Sequence, residues 1–186
     1  MVVDHRAVAY ERTALAEPDR QWELHDGVLR EKPGMTFGHS FAITRLHRAL
    51  AIALDPGRYT VVVNHGRVRR PDATMYFIPD LLVIPSELTD AARTRRDDLE
   101  VYDAPLPLVV EVWSPSTGGY DVDTKFPEYR ARGDHEIWRL HPSERTLTAW
   151  RRRPNGGYDE LVYQGGVVEI MSLPGVWIDL DALFDA

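Results

Sequence analysis

The 186-residue chain contains no cysteine, which excludes disulfides and thiolate metal sites. Any metal must then be held by oxygen or imidazole, donors that favour hard ions such as magnesium or manganese. No apolar stretch is long enough to span a bilayer, and the first residues, MVVDHRAVAYERTALAEP, lack the apolar core of a signal peptide. A cytoplasmic protein outside the membrane is therefore expected. Internal repeats, low-complexity tracts and linkers are also missing, so residues 1–186 are expected to form a single α/β domain. Positive charge is scarce: a net charge of -7 argues against a general polyanion binder, because phosphate affinity rests mainly on lysine and arginine. The arginines are nonetheless clustered, at Arg67, Arg69 and Arg70, at Arg93, Arg95 and Arg96, and at Arg151, Arg152 and Arg153. Such clusters can build a local positive face, or can simply be solvated loops and strand ends.

What is present is an ordinary core-forming content, 44% hydrophobic residues. Residues 5–17 have helix-forming composition, stopped by Pro18. A hairpin follows, Trp22-Glu23-Leu24 and Val28-Leu29-Arg30 around the turn residues Asp26-Gly27. Ile43, Leu46, Leu50 and Ala53 recur at helical spacing within 39–54, and Asp55-Pro56-Gly57 ends that helix. Strands are expected at Tyr59–Val63, Met75–Ile78 and Asp80–Ile84. The polar stretch 85–105, with one short helix near Glu87–Arg93, reads as a mobile insertion. Further strands are expected at 136–141, 145–152 and 158–163, and Val176–Phe184 reads as a short strand and a final helical turn.

Within this pattern one residue is out of place. Glu111 interrupts the run Leu108-Val109-Val110-Glu111-Val112-Trp113, which otherwise reads as a central strand buried on both faces. An unpaired carboxylate there costs several kcal/mol or takes up a proton, unless it meets a cation. Asp80 opens the apolar strand Leu81-Leu82-Val83-Ile84, and if the two strands pair, both carboxylates can reach one point and hold a divalent ion with water. Lys125 follows in Asp121-Val122-Asp123-Thr124-Lys125-Phe126-Pro127. Proline is tolerated in the first turn of a helix, so the helix is expected to begin near Asp123 or Thr124. Lys125 would then lie beside free amide groups suited to a phosphate. The alternatives are structural: a turn cap for Asp80, a metal-free salt bridge for Glu111, a surface pair for Asp121 and Lys125. Glu23 reads as a hairpin surface charge or a further acid at the site, His39 as a helix-end residue that could approach substrate. Tyr129 and Trp138 read as core.

These residues, in this order, resemble the PD-(D/E)xK nuclease superfamily, and more closely its Uma-two branch of restriction endonucleases. The resemblance rests on Trp22-Glu23-Leu24-His25-Asp26-Gly27, His39, Pro79-Asp80-Leu81-Leu82-Val83, and Val110-Glu111-Val112-Trp113-Ser114-Pro115-Ser116. It continues through Asp121 with Lys125 and Tyr129, Glu136-Ile137-Trp138 and Leu173-Pro174-Gly175. It implies a restriction-endonuclease-like mixed β-sheet flanked by helices, with an antiparallel C-terminal extension. It also implies metal-dependent hydrolysis of DNA phosphodiesters by a homodimer. Asp80 and Glu111 would bind Mg2+ or Mn2+, Lys125 would position water, and Glu23, His39 and Asp121 would be accessory. The superfamily's lysine commonly lies two residues after the glutamate, where this chain has Trp113; Lys125 on the following helix matches the branch instead. Two rivals are kept: a catalytically inactive nuclease fold that binds DNA or protein, and a hydrolase using Asp80 and Glu111 as acid and base.

Overall fold

The computed structural model describes residues 5–71, 73–94, 98–115 and 118–185. Helix α1 (His5–Ala16) leads into the hairpin β1 (Trp22–His25) and β2 (Val28–Glu31). Its turn residues Asp26 and Gly27 both have positive φ, 49° and 77°, the two-residue turn that Asp-Gly favours. Helix α2 (Phe37–Ala53) is capped by Thr36, whose side chain accepts a hydrogen bond from the His39 amide. Its stripe Ile43, Leu46 and Leu50 is buried, as the spacing requires. Then come β3 (Tyr59–Val63), β4 (Arg67–Val68), β5 (Leu81–Pro85), α3 (Ser86–Arg93), β6 (Val101–Tyr102) and β7 (Leu108–Val112). Next, α4 (Gly118–Tyr120), a π-helical turn (Asp121–Lys125) and α5 (Phe126–Arg132) run on from one another. The chain finishes with β8 (Glu136–His141), β9 (Thr146–Arg152), β10 (Tyr158–Tyr163), β11 (Val167–Glu169), β12 (Trp177–Asp179) and α6 (Leu180–Phe184).

Six strands form a mixed central sheet in the order β10-β9-β8-β7-β5-β3. Only β7 and β8 run parallel, and their crossover contains α5; the other neighbours are antiparallel. Side chains alternate across this sheet. Leu81, Val83, Val110 and Val112 face α2 and α6, whereas Leu82, Ile84 and Val109 face Phe126 and Tyr129 of α5. By that alternation Glu111 belongs to the α5 face. Both faces of β7 are covered, which is why the strand shows no polar alternation.

The expected order of elements holds, with local differences. Met75–Ile78 is not a strand; Tyr76 and Phe77 make single bridges to Leu24 and Val68. The strands β4 and β6 pair in parallel and went unread because each is two residues long. The described part of the stretch 85–105 is anchored rather than loose: β6 pairs with β4, and Tyr102 is buried. Arg95 and Arg96 lie outside the described residues, as do Ser116 and Thr117.

Candidate active site

Glu111 and Asp80 are brought together by sheet register. Leu81 pairs with Val110, so the residue before β5 sits beside the end of β7. The contact is direct, because the Val112 amide donates to Asp80 Oδ2 at 2.7 Å. Both carboxylates are buried, each 2% exposed, and both border a cavity of about 250 Å3 under the β1–β2 hairpin.

Around Glu111 the partners come from the helical segment and the hairpin. Lys125 Nζ lies 3.2 Å from Glu111 Oε1, 3.0 Å from Glu23 Oε1 and 3.5 Å from Asp121 Oδ1. The Tyr129 hydroxyl donates to the same Glu111 oxygen at 2.5 Å, while its ring packs against Phe77 and Phe126. The Ile78 amide donates to Glu23 Oε1 at 2.9 Å and fixes the hairpin carboxylate in place. Around Asp80 the partners are Lys32, 2.6 Å from Oδ1, and His39 Nε2, 3.1 Å from Oδ2. Lys32 directs its hydrogen bonds at Asn64 Oδ1 (2.9 Å) and the Ile78 carbonyl (2.8 Å). Its contact with Asp80 is thus an ion pair without hydrogen-bond geometry, and Asp80 Oδ1 is buried without a hydrogen bond among the described residues.

The electrostatics separate the two acids. Burial pushes the Asp80 carboxyl up, but Lys32 and His39 outweigh it and hold the group well below the usual carboxylate range. Burial pushes Glu111 well above that range; Lys125 offsets only part of this, and Asp121 and Asp80 push it further. For Lys125 burial favours the neutral amine, yet Glu111, Glu23 and Asp121 prevail and raise its pKa well above the ordinary lysine value. Lys125 is therefore an ammonium at neutral pH. It can stabilise charge and orient water but does not serve as a base.

The sequence places all six candidate residues, Asp80, Glu111, Lys125, Glu23, His39 and Asp121, at this cavity. The expected helix start is a correction. Helical backbone begins at Gly118, not at Asp123 or Thr124, and Lys125 closes a π-turn in which the Phe126 amide bonds to the Asp121 carbonyl. Lys125 therefore does not stand among free amides at a helix N-terminus, and the phosphate-docking role assigned to them falls away. The wider π-turn lets the helix accommodate Pro127 at the start of α5 and turns both Asp121 and Lys125 inward. Lys32 and the Tyr129 hydroxyl were missed. A usable signal existed for Lys32: of the chain's 22 lysines and arginines only Lys32 and Lys125 are lysine, and both are at this site.

A hard divalent ion fits this donor set. The buried carboxyl groups of Glu23, Asp80, Glu111 and Asp121 converge on one cavity with the ammonium groups of Lys32 and Lys125 and the imidazole of His39. Asp80 Oδ1 meets the Lys32 ammonium at 2.6 Å without a hydrogen bond, so it keeps acceptor capacity. Among the described residues no three His, Cys, Asp or Glu side chains form a ready ligand cluster. Magnesium asks for less, since one or two carboxylates with water suffice.

The family Uma2, described as "Putative restriction endonuclease", matches residues 7–181. Among solved structures, a protein described as a putative nuclease belonging to DUF820, from Anabaena variabilis, superposes with a TM-score of 0.66 at 17% identity. The match covers 88% of this chain and 89% of that one, and it shows a shared fold. No curated protein matches the chain.

Proposed function

The chain belongs to the Uma2 family of restriction-endonuclease-like proteins, and on that premise we propose that it is a divalent-metal-dependent endonuclease hydrolysing DNA phosphodiesters. The observation that carries this reading is the convergence of four buried acids, Glu23, Asp80, Glu111 and Asp121, with Lys125 on one cavity. Gathering so many acids in one buried place is costly unless cations share them.

Asp80 and Glu111 would hold a magnesium or manganese ion, which when bound polarises the phosphate and lowers the pKa of its water. Lys125, kept cationic by its three carboxylate neighbours, neutralises charge on the phosphate and orients the attacking water. Tyr129 fixes the Glu111 carboxylate through Oε1, and Lys32 with His39 fixes Asp80. Glu23 and Asp121 hold Lys125 in place from opposite elements. A homodimer working in the cytoplasm, one subunit for each strand, completes the proposal. Among the described residues no helix is long and apolar enough to cross a membrane.

The test incubates the purified protein with supercoiled and linear DNA, with and without Mg2+ or Mn2+, beside Glu111→Ala and Lys125→Ala. Nicking that requires the metal and is lost in both variants is expected. Nicking that survives both substitutions sinks the assignment. Binding of DNA without cutting under any metal moves the protein to the inactive-fold reading.

A further inference from the structure

A second cavity, of about 420 Å3, adjoins the first and is built differently. The two share His39 and part along two chain segments. Met35 lines the charged cavity and Phe37 the second; Ser114 lines the charged cavity, while Trp113 and Pro115 line the second. The second cavity's walls are aromatic, from Phe37, Phe41, Trp113 and Phe184. Trp113 is stacked on His141, ring centroids 4.1 Å apart and planes 20° apart, which fixes its orientation. Phe37 is stacked on Phe41 at 5.8 Å yet remains 82% exposed, a large apolar surface left open to solvent at the mouth. The Arg45 guanidinium, which is not part of the lining, sits over Phe41 at 4.3 Å and donates to the Ala182 carbonyl. His39 is 5% exposed and brings Nε2 within 3.1 Å of Asp80, yet neither ring nitrogen makes a hydrogen bond among the described residues. The hinge between the two cavities therefore carries an unspent polar group.

We propose that this aromatic cavity takes up an unstacked nucleobase of the DNA strand whose phosphate lies at Asp80 and Glu111. The inference rests on the nuclease reading and deepens it. Aromatic faces bind bases because every base has a π-face, and a neighbouring cation holds the backbone. A base extruded from the stack, or one in single-stranded DNA, presents that face; a paired base does not. Trp113 then has a reason to stand two residues after Glu111: it seats the nucleotide next to the one being cut. His39, which lines both cavities, stands between that nucleotide and Asp80. The charged cavity and the aromatic one thus divide one substrate between them, phosphate to the first and base to the second.

The test measures binding of fluorescein-labelled oligothymidylate to the full chain without metal, by anisotropy, for wild type, Trp113→Leu and Trp113→Phe. One stacked base is worth about 1–3 kcal/mol, so Trp113→Leu should weaken binding roughly tenfold or more while Trp113→Phe stays within about threefold. A base-free tract of the same length should bind wild type and Trp113→Leu equally, and both more weakly than wild type binds oligothymidylate. Unchanged melting temperatures show that the variants fold, and the phenylalanine variant serves as the control if leucine does not. The proposal is overturned if the base-free tract binds wild type as well as DNA does, or if Trp113→Leu changes the sedimenting mass and not the oligonucleotide affinity. Trp113-dependent binding with no metal-dependent cutting would spare this inference and sink the nuclease reading. Metal-dependent cutting that ignores both Trp113 and the bases would do the reverse.

Discussion

Two buried charged clusters flank α5, and they obey opposite rules. At its C-terminal end Arg132 and Asp134 form a closed pair, Nε to Oδ2 at 3.0 Å, with side chains 1% and 0% exposed. Arg132 also donates to the carbonyls of Arg69, Tyr102 and Ala104, the last two at 2.7 Å, and the Leu106 amide donates to Asp134 at 2.8 Å. One positive charge meets one negative charge and the polar atoms find partners. At the N-terminal side of α5, four carboxylates share two ammonium groups and Asp80 Oδ1 is left without a hydrogen bond. The first cluster is a strut that locks the stretch before β7 to the end of α5. The second gathers four acids around one cavity. Burial of charge is common to both, so burial alone does not mark function; the crowding of acids around open space does.

Substitutions can break this contrast. Glu111→Gln relieves the crowding of buried acids and should leave the melting temperature unchanged or raised. Metal-dependent cleavage should fall by about a thousandfold, the equivalent of roughly 4 kcal/mol in the barrier. A clear loss of stability in that variant would place Glu111 with the struts. Arg132→Leu should do the opposite, costing about 3–5 kcal/mol in chemical denaturation because it strands Asp134 and three carbonyls. Ion binding to the folded variant should be unaffected.

Millimolar Mg2+ or Mn2+ should stabilise the wild-type fold, by about 2.7 kcal/mol at a hundredfold excess over Kd, and not the Glu111→Gln variant. A chelator should reverse the effect in thermal melts. Lys32→Met removes the ammonium beside Asp80 Oδ1, so calorimetry should show divalent-ion affinity raised by about tenfold, roughly 1.4 kcal/mol. Weaker ion binding instead would show that Lys32 orients Asp80 for the metal and does not compete with it.

The smallest effect lies at the rim of the fold, where His65 Nε2 meets Glu100 at 3.1 Å. The hydrogen bond to Glu100 raises the His65 pKa, outweighing burial. A raised folded-state pKa means that the pair's stabilisation is fully present below the ordinary histidine value and is lost as pH rises through the raised one. Since His65 is largely exposed, the contribution is small. Glu100→Gln should move the His65 titration back toward the ordinary value, as read by NMR.

The sheet, its order of elements and the pairing of Asp80 with Glu111 were legible because an apolar run with one charge has few physical explanations. Lys125 was legible as a partner but not in its setting. Asp-Val-Asp-Thr-Lys fits an α-turn and a π-turn equally well, and only packing against the sheet selects the wider one. Lys32 was opaque for a different reason. A lysine after a hairpin strand whose residues are all exposed reads as solvated, and its burial arises only when the hairpin closes over Asn64 and Ile78. Tyr129 was read as core, which its ring is, while the tip of the same side chain holds the glutamate.

The confinement of both lysines to one cavity has a practical consequence. An amine-directed label, such as a 13C-methyl group added by reductive alkylation, would mark this cavity and no other side chain, beside the α-amine. Both ammonium groups are sheltered, with side chains only 6% and 3% exposed. The labelling rate would therefore clock how often the hairpin lifts from the sheet. The chain carries its own two-point reporter of site opening, readable without substrate, metal or any engineered residue.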